Sequence, residues 1–127
     1  MRHAALCAVP VLMVALSAHA GFSQDATAVD PQHYTVEFEN DYVRVLRIQY
    51  GPGEISVMHE HPAGVFVPLT STDWKMHLPD GSESDLTVEA GVPMWAEPTT
   101  HQPHNLGDET AEGILIEMKE PSHEAHE

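Results

Sequence analysis

The chain has 127 residues, 42% of them hydrophobic, with 20 acidic side chains against 5 basic ones and a formal net charge of −15. Such a field repels phosphate backbones and anionic lipid surfaces, which argues against nucleic acid as a partner and reads first as solubility. The single cysteine, Cys7, falls in the leader described next, so thiolate catalysis, disulfide exchange and cysteine zinc sites are excluded for the mature chain.

Met1-Arg2-His3 is a short basic start, residues 4–18 are an apolar run, and Ala18-His19-Ala20 offers small residues at the two positions a signal peptidase reads. Residues 1–20 are therefore expected to be a signal peptide cleaved after Ala20, and the protein to be exported, periplasmic or secreted. The run is short for a membrane span and no second hydrophobic stretch follows, so no stable membrane insertion is expected after cleavage. Residues 21–33, small, polar and interrupted by Pro31, read as a flexible lead-in, with the folded domain expected over residues 34–119 and a polar tail over 120–127.

Residues 34–38 alternate, Glu39-Asn40-Asp41 turns, and residues 42–50 form a strand rich in valine, isoleucine and tyrosine. Its apolar positions change parity between Val45 and Leu46, as at a bulge or in a strand covered on both faces. The second cover can be another sheet or the partner in a homodimer. Gly51-Pro52-Gly53 turns into a run whose period of two puts Ile55, Val57, His59 and His61 on one face and Ser56, Met58 and Glu60 on the other. Two inward imidazoles at adjacent positions must find partners, and a shared metal ion satisfies both.

Beyond Pro62, an apolar run at 65–69 and a strand carrying Trp74, Met76 and Leu78 on one face lead to the hairpin signal Pro79-Asp80-Gly81. Strands follow at 86–88, 92–95, 101–106 and 113–118. Short strands at close spacing with no helical period predict an all-β sandwich or barrel in one domain. His77, beside Lys75, and His33 read as surface residues. His123-Glu124-Ala125-His126 lacks the spacing of a helical zinc motif and reads as solvated tail.

Gly53, then five residues, then His59-Glu60-His61 resembles the first half of the cupin signature, and His101, then three residues, then Asn105 is similar to the end of its second motif. With Pro79-Asp80-Gly81 and Gly91 between them, residues 39–119 look like a small single-domain cupin. The resemblance implies a jelly-roll β-barrel holding one divalent metal, with His59, His61 and His101 as ligands. Two departures stand out. Val65 and Phe66 occupy the positions where the family usually carries a glutamate, and Glu97-Pro98-Thr99-Thr100 replaces the usual approach to the second-motif histidine. Glu97 or His104 are the candidates to take over the missing role, as a ligand or as a proton shuttle.

Three neutral imidazoles leave a divalent ion its full charge and open positions, which favours an anionic ligand from outside. Zinc, iron, manganese, nickel and copper all suit such a donor set. Phe66, Trp74, Met76 and Trp95 are the candidate pocket residues for a small-molecule ligand. Three readings of function are open: a metal-dependent oxygenase or isomerase acting on a small organic anion or carbonyl compound, a module that holds a metal or small ligand without turnover, and a scaffold with no bound metal that acts through its surface or its dimer.

Overall fold

A computed structural model describes residues 24–120, to which all structural statements refer. The expected signal peptide and most of the expected tail lie outside the described residues. The described chain forms one short helix, α1 (Ala26–Val29), and nine strands: β1 (Tyr34–Glu39), β2 (Val43–Tyr50), β3 (His59–His61), β4 (Gly64–Pro68), β5 (Thr72–His77), β6 (Glu83–Val88), β7 (Met94–Ala96), β8 (Thr99–Asn105) and β9 (Ala111–Met118). No helix among them is long and apolar enough to cross a membrane.

The strands make two sheets, one in the order β1-β2-β9-β4-β7 and the other β3-β8-β5-β6. Every ladder between them is antiparallel. The inner faces pack on one another as a jelly roll, and alternation along each strand selects what goes inside. On β2 the inward row ends in Leu46, Ile48 and Tyr50, all buried, and on β9 it includes Ala111, Leu115 and Glu117. Trp74 and Val88 complete the core from the other sheet. Truncating the fully buried Leu46 to alanine at this junction costs roughly 2–5 kcal/mol, the usual range for an aliphatic core residue.

Local chemistry sets the turns. Gly81 closes the β5–β6 hairpin at φ +84°, a left-handed conformation that glycine adopts without a Cβ penalty. At Gly64 the reason is proximity: a Cβ would run into the carbonyl oxygen of Ile116 on the neighbouring strand. Asn105, fully buried, donates its side-chain amide to the carbonyls of Tyr50, Gly51 and Glu109 and accepts from the Gly107 amide. It thus pins the turn after β2 to the loop between β8 and β9 at one end of the barrel.

The parity change in residues 42–50 has a structural cause on the neighbouring strand. Val36 pairs with Leu46 but Phe38 pairs with Val45, so an extra residue in β1 bulges opposite the change. On the outer face, register aligns Phe38, Val45, Ile116, Val65 and Trp95 in one row across all five strands. Phe38 and Trp95, at its two ends, are more than half exposed.

Three sequence expectations are corrected. Residues 53–58 do not continue the histidine strand: β3 begins only at His59, Ile55 and Val57 are exposed and Ser56 is buried. The chain there follows β8 loosely, with Ile55 bridging His104 and the Ser56 amide donating to the carbonyl of Pro103. Strand parity therefore does not carry across Met58. The segment read as a flexible lead-in is packed from Asp25 onward. Asp25 caps α1 by accepting from the Thr27 amide, Ala26 is fully buried, and the Glu60 amide donates to the carbonyl of Gln24. His33, read as a surface residue, is buried and stacked on Tyr50 at 4.1 Å between ring centroids. Its Nδ1 lies 2.7 Å from Asp30 and its Nε2 3.3 Å from Glu54, which satisfies both ring nitrogens inside the fold.

Candidate metal centre

The three histidines meet because of strand register. β3 lies beside β8 with His59 directly opposite His101, and His61 is the next inward residue along β3. One ligand atom from each of His59, His61 and His101 falls within 4.8 Å of the others, and this is the one such group of metal-ligating side chains found among the described residues. The rings stand nearly perpendicular to one another, with centroids 4.7 to 5.3 Å apart, so they converge on a point instead of stacking.

Contacts behind two of the three rings explain their orientation. His59, fully buried, donates Nδ1–H to the carbonyl of Val57 at 2.8 Å, which leaves Nε2 as a bare lone pair. His61 places Nδ1 2.9 Å from the carboxylate of Glu117. That arrangement of a histidine held by a carboxylate from behind is the one that fixes tautomer and aim in metal sites. The Nε2 atoms of His59 and His101 are buried with no hydrogen-bond partner. Orphaned buried nitrogens are costly unless something accepts their lone pairs, and a divalent cation does so for both. The donor set therefore fits a metal.

Electrostatics points the same way. Burial, together with the neighbouring His61, pushes the pKa of His59 down to about 4. Burial and then the charges of His61 and His59 take His101 to about 3. Both rings are thus neutral near pH 7, the form in which imidazole ligates a metal.

Behind His61 runs a charged relay that sequence inspection missed. Glu117, almost fully buried, accepts from Arg44 Nε at 2.7 Å, and Arg44 also reaches Asp25 at 2.5 Å. Burial opposes the charge on Asp25, yet Arg44 and Thr27 outweigh it and hold the carboxyl below the usual range. The chain Asp25–Arg44–Glu117–His61 links the residues just before α1 to the histidine cluster. Its signal was present in the sequence: in the alternating run of residues 113–118, Glu117 shares parity with Gly113 and Leu115, as Arg44 does with Leu46 and Ile48. The missing family glutamate is not restored here, since Glu117 meets the far nitrogen of His61.

The cluster opens onto a cavity of about 310 Å³ between the sheets, whose walls include His61 and His101. All four pocket candidates, Phe66, Trp74, Met76 and Trp95, line it, with Trp95 at the rim and 55% exposed. The Tyr34 and Tyr50 hydroxyls, also on the wall, lie 2.6 Å apart. Burial raises the pKa of both phenols, so they stay protonated. Of the two substitutes for the missing carboxylate, Glu97 lines the cavity but accepts from the Trp95 indole N–H at 3.1 Å. His104 sits outside it, on the opposite face of β8, stacked on His77 with centroids 6.0 Å apart. His77, read as a surface residue, is half-buried and 3.3 Å from Glu83.

Comparison with known proteins identifies the architecture. The chain is similar to a cupin domain from Bordetella pertussis Tohama I, with 27% identity over 68% of this chain and 92% of that one and a TM-score of 0.64. The fold is the cupin fold. A conserved uncharacterized protein with a double-stranded β-helix domain from Klebsiella pneumoniae aligns at 22% identity over 71% of this chain and 76% of that one, TM-score 0.55. An RmlC-like cupin from Methanocaldococcus jannaschii aligns at 14% identity over 72% and 85% respectively, TM-score 0.52. No family model and no curated protein matches the sequence. In cupin terms, β3 carries the first-motif histidines and β8 the second-motif histidine and asparagine.

Proposed function

We propose that the protein is an exported cupin that binds one divalent metal through His59, His61 and His101 and takes a small organic anion or carbonyl compound at that site for oxygenase- or isomerase-type chemistry. The observation that carries the reading is the pair of buried, partnerless Nε2 atoms on His59 and His101, clustered with His61, while His61 and His101 form part of the wall of one cavity. Iron, zinc, manganese, nickel and copper remain equal candidates on this donor set. When bound, the metal supplies a Lewis acid with open positions for an anionic oxygen. The chain's own part is to aim three imidazoles, with Val57 and Glu117 as the supports of two of them, and to exclude bulk water with the aromatic wall. Tyr34 and Tyr50 keep protonated hydroxyls hydrogen-bonded to one another, and both residues belong to the cavity wall.

Elemental analysis of the protein purified from its own exported fraction tests metal binding. One equivalent of a single transition metal is expected, and a metal-free protein that also takes up none on reconstitution sinks the reading. The same material, by intact mass, is expected to begin at Gly21.

A second reading, a binder without turnover, draws support from the lack of an unengaged acid or base in the cavity: Glu97 is tied to Trp95 and His104 lies outside. Oxygen consumption and product formation across a panel of hydroxy acids, diketones and thiols, with iron loaded, divide the two readings. We propose in addition a homodimer through the outer face of the five-stranded sheet, supported by the apolar row from Phe38 to Trp95. Sedimentation at high protein concentration giving only monomer counts against it.

A further inference from the structure

The cavity's ligand class can be narrowed by asking where the positive charges are. The described residues contain four permanently cationic side chains, and all are engaged with carboxylates. Arg44 holds Asp25 and Glu117, Arg47 holds Glu37 and Glu112, Lys75 holds Glu83 and Asp85, and Lys119 holds Glu39. None of the four lines the cavity beside the histidines. Away from the histidine end, its wall is mostly apolar and includes Phe66, Trp74, Met76, Leu86, Met94 and Leu115, with the Thr99 side chain and the Glu97 carboxylate as polar members. The two tyrosine hydroxyls are close enough to satisfy one another, at 2.6 Å.

A ligand in this space therefore meets one electrophilic end and an apolar remainder. A second anionic group, whether carboxylate or phosphate, would be taken out of water with no cation to receive it, at a cost that a close pairing alone offsets. An apolar body of aryl size would instead remove hydrophobic surface from water on every side, at roughly 25 cal/mol per Å². We propose that the site selects monoanions with a single oxygen head and an apolar, aryl-sized body, and rejects dicarboxylates and phosphorylated compounds. The inference rests on the metal reading above for its polar end, and on the cation inventory for everything else.

The test is a set of three carboxylates that share one head: acetate, phenylacetate and 4-carboxyphenylacetate. Each is titrated into the cobalt(II)-loaded protein, with the visible cobalt spectrum and calorimetry as readouts. About 0.3 M salt screens the overall negative field, so that the local site decides the outcome. Phenylacetate is expected to bind at least about tenfold tighter than acetate, from the ring area it buries. 4-Carboxyphenylacetate is expected to lose at least that advantage, about tenfold or more, for its unpaired second charge. A dicarboxylate that binds as tightly as phenylacetate overturns the proposal, and so does acetate binding as tightly. Cobalt stoichiometry, measured first on the parent and on the His59→Ala/His61→Ala variant, separates the two levels. Equal cobalt in both proteins means the metal reading has failed, whereas correct cobalt loading with no discrimination among the carboxylates means that only the ligand class is wrong.

Discussion

Two groups of histidines occupy the two faces of the same four-stranded sheet; each contains a buried, partnerless Nε2, on His59 and His101 inside and on His77 outside, and the groups differ in how the rings are arranged. Inside, His59, His61 and His101 stand nearly perpendicular to one another, and two of the three have Nδ1 held by a carbonyl or a carboxylate. Outside, His77 and His104 lie nearly parallel, with 23° between ring planes, and His77 faces Glu83 across 3.3 Å. Residues 101 and 104 belong to one strand, three positions apart, so the period of two alone sends them to opposite faces. What distinguishes a ligand set is convergence of lone pairs and support from behind, not the local density of histidine.

The largest effect expected from this contrast is on metal content. His59→Ala/His61→Ala should reduce bound metal from about one equivalent to near zero, because three ligands with an open position is the minimum for a catalytic-type site. His77→Ala/His104→Ala should leave it unchanged. Equal loss in both variants, by elemental analysis of folded protein, would erase the distinction between the faces.

Next in size is the support behind His61. Glu117→Gln keeps the shape but removes the carboxylate that faces both His61 and Arg44. Metal affinity should weaken about 10- to 100-fold, measured by competition with a chelator, with the fold retained by circular dichroism. An unchanged affinity would mean that the relay is structural only.

A smaller effect follows from the depressed pKa values of His59 and His101. Their folded pKa values, about 4 and about 3, lie below the ordinary 6.5, so below 6.5 the unfolded chain binds protons that the folded chain does not. The metal-free protein should hold this part of its stability above pH 6.5 and lose it as the pH falls toward 4 and then 3. Thermal unfolding at pH 7 and pH 4.5 should differ by about 5 °C or more from this source. His59→Gln/His101→Gln should flatten that dependence.

The smallest effect concerns the tyrosine pair. Tyr34→Phe removes the hydroxyl contact with Tyr50 while keeping ring packing against His59 and His61, and should cost about 1 kcal/mol in denaturant unfolding. A much larger loss would mean that the hydroxyl holds more than its tyrosine partner.

Much of this was legible in the chain. The turns at Gly53 and Gly81 were marked by Pro, Asp and Gly neighbours, and both glycines take a positive φ. The period of two separated His101 from His104, and His59 with His61 from Glu60. These are local properties, decided by backbone geometry within a few residues, so the sequence by itself determined an all-β chain, its hairpins and the inward histidines. The tertiary structure alone decided what depends on distant partners. Strand parity failed before Met58 because the Ser56 amide pairs with Pro103 and not within an extended ladder. His33 became a core residue because Asp30, Glu54 and Tyr50 arrive around it. Glu117 meets His61 across 56 positions, and the register that sets His59 opposite His101 spans 42. Such separations are closed by burial of the whole barrel, which no window of sequence contains.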